Sequence, residues 1–104
     1  MSASPTYCTA AHVARYIKTQ LSASDIEYII EDVDADIERN FGPQDANDKF
    51  IRQLAALKTA YAIKISHDPQ ATIVGPFSIR HNPIEALQDK IREMENSFTR
   101  CELI

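Results

Sequence analysis

Seven carboxylates crowd one segment of this 104-residue chain, and they are the first side chains whose chemistry needs an explanation. Residues 25–41 contain these seven acids and one base, Arg39, so the segment carries a net charge of −6, whereas the whole chain carries −4. Paired carboxylates can serve acid–base catalysis or bind a metal ion. On a helix, two flanks of acids beside an apolar stripe are more typical of a solvated or interfacial face. We therefore predict no catalytic residue and no metal ligand in this segment.

Histidines and cysteines are the other candidates for site chemistry. His67 and His81 bracket a β-prone segment and would meet if it folded back as a hairpin, with Asp68 as the only third metal ligand at hand. Two loop histidines is the simpler interpretation. Cys8 and Cys101 match no metal or redox spacing, so we expect two free thiols, with a bridge between the ends of the chain as the alternative.

The composition argues against an enzyme or a membrane protein. Gly42 and Gly75 are the only glycines, which leaves no glycine-rich phosphate loop and no Gly-x-Ser-x-Gly elbow. No stretch approaches the roughly 18 apolar residues that a membrane span needs. The first residues lack the charge and the apolar run of a signal peptide. We expect one cytosolic domain without a cofactor.

Prolines and glycines divide the chain into periodic segments, which predicts a mainly α fold. We expect a single domain over residues 1–104, a small four-helix bundle with a short β-hairpin or extended arm between helices three and four. Thr9, Ser24 (in a capping box with Glu27) and Asn82 are the predicted N-caps. The predicted helices cover about residues 10–19, 24–41, 47–66 and 83–101.

The third and fourth helices carry apolar faces that predict packing partners. The main stripe of the third helix is formed by Phe50, Leu54, Leu57, Tyr61 and Ile65. Its opposite face is also apolar, so it is either the central helix or it meets another subunit. The fourth helix has a heptad seam, which predicts one partner helix inside the fold or across a subunit boundary. The candidate subunit-interface residues are Ala55, Ala56, Thr59, Ala60, Ile63, Ile84, Leu87, Ile91, Met94 and Phe98.

The β-prone segment 72–79 forms a hairpin or an extended arm that needs a surface to lie on, either its own chain's or a neighbour's. The last residues are either a docking tail or frayed. The arm candidates are Thr72, Ile73, Val74, Gly75, Pro76, Phe77, Ser78 and Ile79, and the tail candidates are Cys101, Glu102, Leu103 and Ile104.

The charge pattern argues against sequence-specific DNA binding. The first two helices imitate a helix-turn-helix, but the second would be the reading helix and its net −6 would repel phosphates. Residues 43–81 carry a net +2, which is an ordinary solvated surface. Tyr28 lies opposite the apolar stripe of the second helix, so it should face solvent or a partner.

The order of these parts resembles the small helical head–tail connector proteins of long-tailed bacteriophages, also called adaptor or head-completion proteins. Residues 7–17 (YCTAAHVARYI) look like the start of that family, and residues 24–31 and 37–42 are similar to its acidic second helix, which closes on a bulky apolar residue and glycine. An alanine-rich helix, a short β segment with Gly75 and a final helix complete the pattern. Asp34-Ala35-Asp36 is more acidic than the family pattern.

The resemblance implies a structural virion protein at the head–tail interface. Such a protein forms a homo-oligomeric ring of about a dozen subunits beneath the portal protein. The ring extends the channel through which double-stranded DNA passes without sequence-specific binding, and it offers a surface to a tail terminator or stopper protein. The acids expected to face this channel are Glu27, Glu31, Asp34 and Glu38.

Two other functions fit the same residues. One is a small cytosolic helical regulator, or antitoxin-like binding module, that dimerises through the fourth helix. The other is an accessory protein of nucleic-acid packaging. A ring seen in native mass or negative-stain images would favour the connector, and a strict dimer under all conditions would favour the regulator.

Overall fold

The computed structural model describes residues 7–45, 47–75 and 82–102, with side chains described as far as residue 97 of the last helix. The described part is mainly helical with one small sheet, which confirms the predicted fold class. Its elements are α1 (Ala10–Val13), β1 (Ile17–Lys18), α2 (Ala23–Phe41), α3 (Lys49–Ala62) with a π-helical turn (Ile63–His67), β2 (Thr72–Ile73) and α4 (Pro83–Glu102).

α3 is the central helix of the fold. It packs against α1, α2 and α4, and both of its apolar faces are covered by these neighbours. Thr59 is fully buried here, and its hydroxyl donates a hydrogen bond of 2.7 Å to the Ala55 carbonyl. Small side chains let the neighbouring elements approach closely. The buried residues of α3 are Ile51, Leu54, Ala55, Ala56, Leu57, Thr59 and Ala60.

α1 ends six residues before the predicted end of the first helix. Thr9 caps it as predicted, and the Thr9 amide also donates to His12 Nδ1 at 3.0 Å. After Val13 the chain turns and continues as a strand in which Ile17 lies opposite Ile73. Ile17 is buried and pairs with Ile73, so a non-local contact ends a helix that local propensity alone would extend.

β2, the start of the predicted arm, pairs antiparallel with β1 of the same chain. Next to this ladder, the Val74 amide donates to the Tyr16 carbonyl at 2.9 Å. The surface that supports the arm over these residues is therefore the chain's own. Residues 76–81 lie outside the described part of the structure, so the hairpin or arm prediction over 76–79 stays a prediction.

α2 begins one residue after Ser22, whose hydroxyl accepts the Asp25 amide at 3.2 Å. The predicted capping box of Ser24 and Glu27 is therefore wrong, because Ser24 lies inside the helix. The C-terminal end agrees with the prediction: Gly42 follows with a φ of +80°, and its amide donates to the Glu38 carbonyl at 2.8 Å. The buried apolar stripe comprises Ile26, Ile29, Ile30, Val33 and Ile37.

The π-helical turn changes the phase of the third helix at its C-terminal end. A π-helical turn contains more residues than an α-helical one, so the side chains that follow are rotated relative to the α-helical stripe. Ile65 was predicted to continue the buried stripe, but it is 50% exposed, while Ile63 is fully buried. The Asp68 amide closes the turn on the Ile63 carbonyl at 2.6 Å.

α4 starts as the sequence predicts. The Glu85 amide donates to Asn82 Oδ1 at 3.2 Å, and the Asn82 side-chain amide donates to Glu85 Oε2 at 3.3 Å. Lys58 of α3 ties three helices together, because its ammonium lies 2.7 Å from Asp36 Oδ2 of α2 and 3.3 Å from Glu95 Oε2 of α4. Over the described residues, no helix combines the length and the hydropathy of a membrane span.

Candidate functional site

A basic groove lies between α1 and α3, with a volume of about 360 Å³. Arg15 follows α1, and Lys49 and Arg52 lie in the first turn of α3. Lys49 and Arg52 are three residues apart, which places them on neighbouring positions of one helix face. The groove is lined by His12, Arg15, Tyr16, Lys49, Arg52, Gln53 and Ala56.

Arg15, Lys49 and Arg52 give the groove three positive charges. Within the described ranges, no ion pair joins Arg15, Lys49 or Arg52 to an acidic side chain. Asp48, the neighbouring acid in sequence, uses its carboxylate to cap α3 by accepting the Phe50 amide at 2.8 Å. The side chains that line this concave surface therefore include three cations and no acid, which suits an anionic group.

His12 adds a hydrogen-bond donor to the groove. Burial, the Arg52 charge and the Arg15 charge, in that order, lower the pKa of its imidazole below the ordinary value. This shift favours the neutral form of the ring. Because Nδ1 accepts the Thr9 amide, the ring proton lies on Nε2, which can donate to a ligand.

An acidic surface lies on the outward side of α2. Tyr28 is 47% exposed and stands between two exposed acids, Asp25 three residues before it and Asp32 four residues after it. These spacings place all three on one face of the helix. We call Asp25, Tyr28 and Asp32 the acidic ridge. The exposure of Tyr28 agrees with the prediction from the helical phase.

The predicted subunit interfaces on the third and fourth helices are mostly interior. The five candidates on the third helix are at most 1% exposed, because this helix is central. On α4, Leu87, Ile91 and Met94 are buried within the chain and Ile84 is half-buried. These residues therefore form the core and do not present a free surface to a second subunit. The side chain of Phe98 lies outside the described part.

The predicted channel-facing acids differ in their environments. Glu31 and Glu38 are exposed and Glu27 is half-buried, but Asp34 is only 6% exposed and is therefore not a channel-facing side chain. Glu38 accepts a hydrogen bond of 2.7 Å from the Tyr7 hydroxyl, which ties the segment before α1 to α2. Of the predicted tail, residues 101–102 form the end of α4 with undescribed side chains, and residues 103–104 lie outside the described ranges.

Cys8 is a free, buried thiol, as predicted for this cysteine. Burial first, and the negative charge of Asp34 second, raise the pKa of Cys8 to about 12. A protonated thiol in the core is a poor nucleophile. Among the described residues, no group of three or more His, Cys, Asp or Glu side chains is arranged to hold a metal ion.

Sequence reasoning missed the basic groove. It treated Lys49 and Arg52 as part of an ordinary solvated surface, and it assigned no role to Arg15. The spacing of Lys49 and Arg52 was a visible signal of a shared face, but the approach of Arg15 and His12 depends on how α1 packs on α3.

Comparisons with known proteins identify no relative of this chain. No protein-family model, curated protein or solved structure matches the chain.

Proposed function

We propose that this chain is a structural subunit of a head–tail connector ring in a long-tailed bacteriophage. The observation that carries the proposal is the separation of charge on one small subunit: a basic groove on α1 and α3, and an acidic outer surface on α2. A ring formed by head-to-tail contacts needs two different, complementary surfaces on each subunit. We assign the subunit contacts to these two surfaces instead of the alanine face of the third helix and the heptad seam of the fourth, because those residues are mostly buried inside the chain.

In this role the ring sits beneath the portal protein, extends the DNA channel and offers its far side to a tail terminator or stopper protein. The exposed carboxylates of Glu31 and Glu38 face the channel, together with the half-buried Glu27. Carboxylates along such a channel weaken phosphate binding and let duplex DNA pass. The DNA would therefore pass through the ring without sequence-specific contacts.

The alternative, a cytosolic regulator that dimerises through the fourth helix, has less support. Leu87, Ile91 and Met94 of its seam already pack inside the chain. A dimer through this seam would require α4 to leave α3 and to expose part of the core, a cost of several kcal/mol at about 25 cal/mol per Å² of apolar surface.

Negative-stain images and native mass spectra of the chain mixed with the portal assembly of its own phage test the proposal. We expect a ring stacked coaxially on the portal. The chain alone serves as the control for rings that form without a template. A strict dimer in both samples, with no binding to the portal, would contradict the connector function and favour the regulator.

A further inference from the structure

We propose that the acidic ridge of one copy docks into the basic groove of the next copy, with Tyr28 between the groove arginines. This contact deepens the proposed connector function, on which it rests, by naming the two surfaces that join neighbouring subunits. The contact uses the flank of α2 that carries Asp25 and Asp32. Glu27 and Glu31 lie on the other flank, so they stay available to face the channel.

Charge complementarity is the first argument. The groove presents Arg15, Lys49 and Arg52, and none of them has an acidic partner within the described part of the chain. The ridge presents the carboxylates of Asp25 and Asp32, for which the described residues contain no ion pair. Over the described residues, each surface therefore lacks the opposite charge that the other surface would supply.

Tyr28 is the second argument. Among the described residues, Tyr28 and Ile65 are the only large hydrophobic side chains with high exposure. Tyrosine and arginine are among the residues most enriched in the hot spots of protein interfaces. A guanidinium stacks on an aromatic ring, so Arg15 or Arg52 of the next copy can cover Tyr28 while its acids pair with the remaining cations.

The two surfaces lie on different elements, so the contact is heterologous. The groove belongs to α1 and α3 and the ridge belongs to α2. A docked copy keeps its own groove free for another ridge, which propagates the contact from subunit to subunit. A heterologous contact of this kind closes into a ring when its rotation allows closure.

Two neutralised variants test this contact without a portal. The groove variant combines Lys49→Gln with Arg52→Gln, and the ridge variant combines Asp25→Asn with Asp32→Asn. Sedimentation and ¹⁵N-edited NMR spectra report association up to a concentration of about 1 mM, the effective concentration of neighbours held on a template. An interface too weak to detect under these conditions would not hold a ring together.

We expect wild-type chains to associate at low salt and to separate at about 0.5 M salt, where charges are screened beyond a few ångströms. Each variant alone should bind itself about tenfold more weakly, the effect of losing roughly 1.4 kcal/mol of surface ion pairs. An equimolar mixture of the two variants should form a one-to-one heterodimer, because each variant retains the surface that the other lacks.

Matched controls change the same number of charges on α4: Lys90→Gln with Arg92→Gln for the groove variant, and Asp89→Asn with Glu93→Gln for the ridge variant. These side chains form only exposed pairs within α4, so we expect wild-type association. Circular dichroism and urea unfolding verify that all variants are folded.

Three results would overturn the contact: wild-type chains that stay monomeric at the highest concentration, a mixture that forms no heterodimer, or α4 controls that weaken association as much as the groove variant. A short DNA duplex that shifts the groove resonances while a second copy does not would assign the groove to nucleic acid instead. A ring on the portal that forms equally well with the groove variant would leave the connector function standing and remove this contact from it.

Discussion

Gly75, in the segment after β2, lies close to the segment that follows α1. Its φ is +78°, and a Cβ atom placed there would lie 2.6 Å from the Arg15 carbonyl oxygen. Gly42 has a similar φ of +80°, but a Cβ atom there would have no neighbour within 4 Å. An L-residue at either position would have an unfavourable φ. Only at Gly75 would its Cβ atom also clash with another backbone atom.

Gly75→Ala should therefore destabilise the protein more than Gly42→Ala. We expect about 1–3 kcal/mol from the unfavourable φ in either variant, and a further loss at Gly75 because the Arg15 carbonyl must move. Urea unfolding monitored by circular dichroism measures both. Equal midpoints for the two variants would contradict the close contact.

Asp68 connects two loop segments through one carboxylate. Its Oδ2 accepts the Thr19 hydroxyl at 2.6 Å and the Gln20 amide at 3.3 Å, and its Oδ1 accepts the Gln70 amide at 3.2 Å. The Thr19 hydrogen bond first, and then the two amides and the charge of Lys64, hold the pKa of Asp68 below its usual value. The ionised carboxylate is therefore the form that fits the fold.

Asp68→Asn should lower the free energy of unfolding at neutral pH. The variant should also lose less of this free energy than the wild type as the pH falls. A lowered pKa in the folded state contributes stability that is fully present above the unfolded pKa of about 3.9 and is lost as the pH falls through the folded pKa. Urea midpoints between about pH 7 and pH 3 should converge for wild type and variant at the acid end. Asp89→Asn is the control, because Asp89 is exposed on α4 and forms only an exposed ion pair with Arg92. A constant difference across the pH range would contradict this role.

At the scale of elements, α3 decides the arrangement of the others. A helix that is apolar nearly all round can be the centre of one subunit or the contact between two, and the burial of Ala55 and Ala60 inside this chain selects the first. Ile63, at the start of the π-helical turn, is still buried in the core, whereas Ile65 within the turn is exposed. The π-helical turn leads directly into the loop that contains Asp68. Lys64 stabilises this loop, because its ammonium donates to the Pro69 and Ala71 carbonyls.

Ala55→Leu should therefore destabilise the isolated subunit. Ala55 is fully buried against neighbouring elements, and extra methylenes in a packed core cost about 1–3 kcal/mol. The same change at exposed Ala35 of α2 should stay within about 0.5 kcal/mol. If Ala55→Leu left the unfolding midpoint unchanged and impaired only assembly, the alanine face would be a subunit surface after all.

At the scale of the whole molecule, the net charge of −4 is the sum of a strongly acidic helix and a weakly basic remainder. α2 carries −6, so the remaining residues together carry +2, and three of their cations line one groove. Packing also differs along the chain: α3 packs against three helices, whereas α1 is a single turn of four residues. Stability is therefore expected to be uneven, highest in α3 and lower around α1.

Amide hydrogen exchange followed by NMR measures this difference. The amides of residues 54–60 should exchange only through global unfolding, whereas those of α1 should open locally and exchange faster. Addition of low urea should accelerate exchange in α3 more than in α1, because global opening exposes more surface. Equal protection in α1 and α3 would contradict a fold centred on α3.

Sequence by itself determined the features that depend on neighbouring residues. The end of α2 at Gly42 and the start of α4 at Asn82 were predicted, since caps and apolar stripes are read within a few turns of helix. The exposure of Tyr28 followed from the same helical phase. The cap of α2 was misplaced by two residues, because Ser22 and Ser24 offer the same hydroxyl and the surrounding packing selects between them.

Only the tertiary structure decided the features that join distant residues. Ile17 became a strand because Ile73 lies opposite it, and the groove formed because α1 brought Arg15 beside Lys49 and Arg52. Local patterns reveal which face of a helix is apolar, but they do not say which neighbour covers that face or whether the neighbour belongs to the same chain. Whole-chain packing decides this, because the free energy of burial depends on what all the elements cover together.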